Sequence, residues 1–162
     1  MKKKKKNLIY TYIILLICSL IPFISLGLPM LKYSYKFYSL RVSGYNALTL
    51  LWDDPLCGFG SIFYLFLLIV SSISIVISIM IILNYFHRVN ITKDMKKITF
   101  LVSFLESIFG VLSFIFYLAF VLNEDKADGG HSLAYFSYIN LSFSILVSIL
   151  VRISYKFELK EA

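Results

Sequence analysis

SIFYLFLLIVSSISIVISIMIILNYF, residues 61–86, holds no charged side chain; its polar members are five serines, two tyrosines and one asparagine. A helix rises ~1.5 Å per residue and needs ~20 apolar residues to cross ~30 Å of hydrocarbon, so this stretch is long enough to span a bilayer. Residues 8–28, 98–122 and 133–153 have the same character. The pattern predicts an all-α membrane protein, a single domain over 1–162 built as a four-helix transmembrane bundle. The only sizeable connection outside the bilayer is a first outer loop over 29–60.

Composition agrees. The chain of 162 residues is 59% hydrophobic and 15% charged, with a mean hydropathy of +0.83, too little polar surface to wrap a water-soluble globule. Twelve of the 16 basic residues fall on one predicted side: the lysines at 2–6, then Arg88, Lys93, Lys96 and Lys97, then Arg152, Lys156 and Lys160. Only Lys32, Lys36, Arg41 and Lys126 fall on the other. By the positive-inside rule both termini lie in the cytoplasm of a multi-pass plasma-membrane protein. The formal charge of +7 is thus spread over membrane-flanking segments, which meet anionic lipid and form no surface for nucleic acid.

The lysine-rich start and Ser25-Leu26-Gly27 resemble a cleavable signal, but the apolar run outlasts the ~7–15 residues usual there, so the first span is expected to stay. Ile17 before Cys18 is not the small residue of a lipoprotein signal. Cys18 is expected within the membrane and Cys57 near its outer surface, too far apart to bridge. Glu124, Asp125 and Asp128 lack EF-hand spacing, and read as a solvated turn before Gly129-Gly130-His131. Asn90-Ile91-Thr92 and Asn140-Leu141-Ser142 match a glycosylation sequon, one on the cytoplasmic side and one inside a span, so neither is expected to be used.

In the first outer loop Lys32, Ser34 and Lys36 alternate with Tyr33, Tyr35 and Phe37, the period-two pattern of a strand, and Ser39-Leu40-Arg41-Val42 offers a second strand for a small β-hairpin. Ser43 stands where a helix cap would, Tyr45, Leu48, Leu51 and Trp52 recur at helical spacing, and Asp53-Asp54-Pro55 ends the run. This predicts a short interfacial helix with Trp52 in the aromatic belt. The loop either covers the top of the bundle as a lid or recognises a partner, and in the second reading Tyr33, Tyr35, Phe37, Tyr45 and Trp52 are the expected partner surface.

The four spans, the strand-bearing first outer loop and a tryptophan ahead of a cysteine resemble the claudin-like tetraspan architecture at the level of fold. That family places its tryptophan two residues before the first of two loop cysteines. Here four residues separate Trp52 from Cys57 and the loop has no second cysteine, so no functional residue carries over. With Ser43-Gly44-Tyr45 the chain also resembles small four-span bacterial membrane proteins that have a Ser-Gly-aromatic turn in the first outer loop, a likeness that implies no particular activity.

Within the spans the small and polar residues fall on stripes. Ser103, Glu106, Gly110 and Ser113 share a helix face, as do Ser137, Asn140, Ser144 and Ser148; Ser71, Ser74 and Ser78; and Thr11, Cys18, Pro22 and Ser25. Four such faces suit a close-packed bundle interior. Glu106 lies about 12 Å into its span, where an ionised carboxylate costs about 2.5–3.5 kcal/mol even on lenient scales. It should face inward and hydrogen-bond to Ser103, Asn140, Ser144 or the Cys18 carbonyl, freed by the missing N–H of Pro22.

Catalytic constellations are missing: His87 and His131 fall on opposite sides of the membrane, and no phosphate loop, cofactor motif or metal-ligand cluster appears. The expectation is a protein without enzymatic activity or cofactor. Its partners are the lipid bilayer and another membrane protein or further copies of itself. It would serve as an accessory or partner-binding subunit, in complex stabilisation or immunity-type protection, through the first outer loop. The alternative is a small oligomeric channel or transporter with Glu106 as its ion or proton site.

Overall fold

The computed structural model describes residues 2–35, 38–50, 54–86, 93–123 and 130–159. In chain order they form α1 (Lys2–Ile24), β1 (Pro29–Tyr35), β2 (Tyr38–Ser43), α2 (Gly44–Leu50), α3 (Pro55–Tyr85), α4 (Lys93–Asn123), β3 (Gly130–Leu133) and α5 (Tyr135–Leu159). The four long helices close into a ring, with α1 against α3 and α5, and α4 between α3 and α5. Three segments, Pro55–Asn84, Lys97–Asn123 and Tyr135–Ile153, are long and apolar enough to cross a membrane; Ile9–Ile24 is apolar but shorter.

The distribution of side chains is the reverse of that in a water-soluble bundle. Ser19, Ser61, Ser71, Ser78 and Ser103 are wholly buried, while Ile69, Val76, Leu101 and Phe104 are each more than half exposed. Small hydroxyl residues inside and large aliphatic ones outside suit helices that pack through close contacts in lipid. The free thiols of Cys18 and Cys57 are both buried.

Local chemistry sets the helix ends. Pro22 lies in the last turn of α1, which stops at Ile24. The chain then tightens into i→i−3 bonds from Leu26 N to Phe23 O, Gly27 N to Ile24 O and Leu28 N to Ser25 O, each 3.2 Å. Residues 25–28, expected within the first span, therefore form the turn into the sheet. At the start of α3 the Asp54 carboxylate accepts from Leu56 N (2.8 Å) and Cys57 N (3.1 Å), with Pro55 at the first helical position. Asp54-Pro55 thus starts α3, and the connection expected over 29–60 ends at residue 54.

The hairpin forms as the alternation predicts, with Lys32 opposite Arg41, Tyr33 opposite Leu40 and Tyr35 opposite Tyr38. A register shift between Pro29 and Leu31 bends β1 where it leaves α1. The sheet has a third strand, however. β3 pairs antiparallel with β1 through Leu31–Leu133, Lys32–Ser132, Tyr33–His131 and Ser34–Gly130, giving the order β2-β1-β3. The connection between α4 and α5 is therefore not a turn alone, since its last residues add a strand; the acidic residues at 124, 125 and 128 lie outside the described residues.

The short helix α2 covers Gly44–Leu50, with Ser43 Oγ accepting from Asn46 N at 3.2 Å, while Leu51 and Trp52 of the expected helix lie outside the described residues. Gly44 N donates to Leu28 O (3.2 Å) and Tyr45 N to Leu26 O (2.9 Å), seating α2 on the end of α1. A Cβ at Gly44 would come 2.5 Å from the Ser25 carbonyl oxygen, so the Ser-Gly-aromatic turn needs its glycine for close backbone approach. At Gly27 the nearest atom to an added Cβ is 3.9 Å away. Gly44→Ala is expected to cost about 1–3 kcal/mol through overpacking while Gly27→Ala stays near neutral, read from thermal unfolding of the two purified variants in detergent.

Candidate functional site

Two arrangements of polar side chains stand out, one inside the bundle and one at its sheet-bearing end. Glu106, in the middle of α4, is 1% exposed. Its Oε1 accepts from Ser71 Oγ on α3 at 2.9 Å, and its Oε2 accepts from Ser19 Oγ on α1 at 3.3 Å. Ser19 Oγ is in turn 2.9 Å from Ser74 Oγ, one turn along α3 from Ser71. With Ser19 donating to the carboxyl, Ser74 must donate to Ser19, so the hydroxyls form a directed chain ending on Glu106. Below them on the same stripe the Ser78 hydroxyl is buried without a partner among the described residues.

Glu106 faces inward among neutral groups, but its neighbours are not the expected ones. Ser103 Oγ donates to Thr99 O (2.7 Å) and Ser144 Oγ to Asn140 O (2.8 Å), each returning to the carbonyl four residues earlier in its own helix. Ser107 donates to the Ser144 carbonyl. The Ser144 side chain also faces Gly110, where an added Cβ would overlap it, so the polar stripe of α5 packs on the glycine step of α4 and not on the carboxyl. Ser19 was not singled out in the sequence because Cys18 was assigned to the inward stripe; both are buried, since two adjacent positions straddle the centre of that face.

Asn140 belongs to a second polar layer nearer the sheet. Its Nδ2 donates to Ser25 Oγ (2.8 Å) and approaches Met30 Sδ (3.4 Å). Ser25 Oγ is 2.5 Å from Tyr64 Oη, and Tyr64 Oη donates to Pro22 O at 2.6 Å. Besides the Cys18 carbonyl, which the missing N–H of Pro22 deprives of its helix donor, the Pro22 carbonyl also leaves the ladder, with Leu26 N turned to Phe23 O, and it accepts from Tyr64 Oη and from Ser25 Oγ (2.7 Å). The Oδ1 of Asn140 is buried without a partner among the described residues. A third link, Ser61 Oγ to Ala47 O (2.9 Å) and to Tyr117 Oη (3.2 Å), ties α2 to α3 and α4.

On the outer-loop surface, Tyr33 is half-buried, Tyr45 is 62% exposed, and Tyr35 is the last residue of β1. Phe37, Trp52 and His87 lie outside the described residues. Sequence reasoning missed a groove of about 700 Å³ between the sheet and the first turns of α5, lined by Lys32 and Arg41 on one side and Tyr135, Phe136 and Tyr138 on the other. Only the unseen pairing of β3 with β1 sets α5 beside Lys32, so nothing local in the sequence marks it. Among the described residues no three His, Cys, Asp or Glu side chains come together as a metal-ligand group.

No protein-family model, curated protein or solved structure matches the chain.

If the hydroxyl chain holds Glu106 as part of the packing, Glu106→Gln keeps one acceptor and gains a donor, and should cost less than about 1.5 kcal/mol. A double-mutant cycle of Glu106→Gln with Ser71→Ala should return a coupling of about 0.6 kcal/mol and no more than about 1.7.

Proposed function

We propose that the chain is a four-span plasma-membrane protein with both termini in the cytoplasm, and that it acts without enzymatic chemistry as an accessory, partner-binding subunit. The apolar part of α1 becomes the fourth span in this reading. It packs within the ring beside α3 and α5, and the lysines at 2–6 lie at its outset, on the side that carries most of the positive charge.

The observation that carries the partner-binding role is the cap formed by β1, β2, β3 and α2. It is anchored to the bundle by Ala134 N to Met30 O (2.9 Å), Ser137 Oγ to Met30 O (2.5 Å) and Ser61 Oγ to Ala47 O (2.9 Å). It leaves Leu40, Tyr45 and Tyr135 more than half exposed. Anchored backbone with exposed aromatic side chains is suited to recognition, because little conformational entropy is lost on docking. The outer edges of β2 and β3 lie at the ends of the sheet, where an extended segment of a partner can add as a further strand.

A second reading draws on the Glu106 cluster: a carboxyl joined by hydroxyls from two other helices, with the Ser78 hydroxyl unpartnered below, is a site that an oligomeric proton or ion path would use.

One set of experiments separates the two. Because both native thiols are buried, the wild-type protein should resist an impermeant maleimide, whereas Ser39→Cys in intact cells should be labelled. Photo-crosslinkers placed at Leu40 and Tyr45 should capture one defined membrane-protein partner, and one at the lipid-facing Phe104 should not. Failure of Ser39→Cys to label rejects the topology. Absence of a partner, together with proteoliposome ion flux abolished by Glu106→Gln, rejects the accessory role in favour of transport.

A further inference from the structure

Lys32 and Arg41 are directly opposed across β1 and β2. Two like charges in that register repel and destabilise the pair. They also fall on the side that the charge bias of the chain otherwise keeps poor in cations. Among the described residues, no carboxylate lines the groove that they border. Two unfavourable placements at one spot are relieved together by a bound anion.

The rest of the groove specifies what kind of anion. Its far wall is the start of α5, which is also the start of a membrane-crossing segment, so the groove opens at headgroup depth. Tyr135 and Tyr138, 85% and 50% exposed, stand one turn apart there, and the Tyr138 ring is held edge-on to Phe114 with centroids 5.4 Å apart. Leu28 and Phe136 complete an apolar lining beneath the charges. Basic groups above and apolar and aromatic surface below match the two ends of an amphiphile.

We propose that this groove is a binding site for a phospholipid of net negative charge. The phosphate lies between the Lys32 ammonium and the Arg41 guanidinium, and the upper acyl chain rests on Leu28, Phe136 and Tyr138. The arginine supplies parallel N–H donors for two phosphate oxygens, and the lysine supplies a compact point charge. A zwitterionic headgroup brings its own cation next to two others and is discriminated against. This site rests on the reading of α5 as a span and is independent of any protein partner at the strand edges.

The test uses the full-length protein in an uncharged detergent, titrated with phosphatidylglycerol, phosphatidylcholine or inorganic phosphate, with native mass spectrometry for stoichiometry and thermal unfolding for affinity. One phosphatidylglycerol should be retained per chain and should raise Tm saturably, while phosphatidylcholine and inorganic phosphate leave Tm unchanged. Lys32→Ala with Arg41→Ala should weaken that lipid by about tenfold or more, as expected for losing charge-assisted bonds, and Arg152→Ala at the other end of α5 should not. Arg41→Lys, which keeps the charge, should stay within a few-fold of wild type, and it serves as the folded comparison if the double variant aggregates. In lipid-free detergent the double variant should unfold no earlier than wild type, because it removes a repulsion. Equal stabilisation by phosphatidylcholine or by inorganic phosphate, or undiminished phosphatidylglycerol binding by the double variant, overturns the assignment. Loss of partner capture with lipid binding intact would overturn only the accessory role.

Discussion

Hydrocarbon offers no hydrogen bonds, so a hydroxyl, amide or carboxyl carried into the bundle is costly unless it finds its partner on a neighbouring helix or on its own backbone, and among the described residues only Ser78 Oγ and Asn140 Oδ1 are buried without one. Three layers meet that demand. The Glu106 layer joins α1, α3 and α4 through Ser19, Ser71 and Ser74. The Ser25 layer joins α1, α3 and α5 through Tyr64 and Asn140. Nearest the cap, Ser61 and Tyr117 join α3, α4 and α2. Without a hydrophobic force to press helices together in lipid, these layers and the close contacts between them determine how the ring closes. The buried serines and exposed isoleucines follow from the same constraint.

Close approach has its own residues. At Gly60 an added Cβ would lie 3.0 Å from the Tyr117 ring, and the Gly60 carbonyl accepts from Ser113 Oγ at 3.1 Å. Gly110 does the corresponding work between α4 and α5, against Ser144. Glycines at these crossings bring backbones near enough for one-carbon hydroxyl side chains to reach across. The serine stripes and the glycine steps are therefore one device: the first supplies the donors, and the second the distance.

Much of this was legible in the sequence, and the limits have physical causes. The helices announce themselves through length and apolar content, and the inward faces through serines at helical spacing, because both depend on a single segment. Which stripe meets which depends on how far each helix is rotated and raised, and a serine can turn back to its own carbonyl. Hence Glu106 was placed inward correctly, while Ser103 and Ser144 were not its partners and Ser19 was passed over for its neighbour Cys18. The hairpin of β1 and β2 was visible as alternation. β3 was not, because four residues, Gly-His-Ser-Leu, carry no periodic signal and owe their extended form to pairing with β1, about one hundred residues away in sequence. Asp54-Pro55 was legible as a boundary, but as the end of one helix, whereas in the structure the pair caps the start of α3.

The cap and the bundle meet at Met30. Its carbonyl accepts from Ala134 N and Ser137 Oγ, and its thioether is approached by Asn140 Nδ2, so the bend in β1 is held by α5 and the residue leading into it. The buried side chains of Met30, Leu31 and Ala47 share one hydrophobic core with Tyr64, Leu67 and Tyr117, so the cap is held by apolar burial as well as by these hydrogen bonds. Asn140 sits at this junction with Nδ2 shared between Ser25 and Met30 and with Oδ1 lacking a partner among the described residues, so its amide ties the turn after α1 to β1 and α5. The Glu106 layer is separate from this junction, since among the described residues it has no hydrogen bond to α5 or to the sheet.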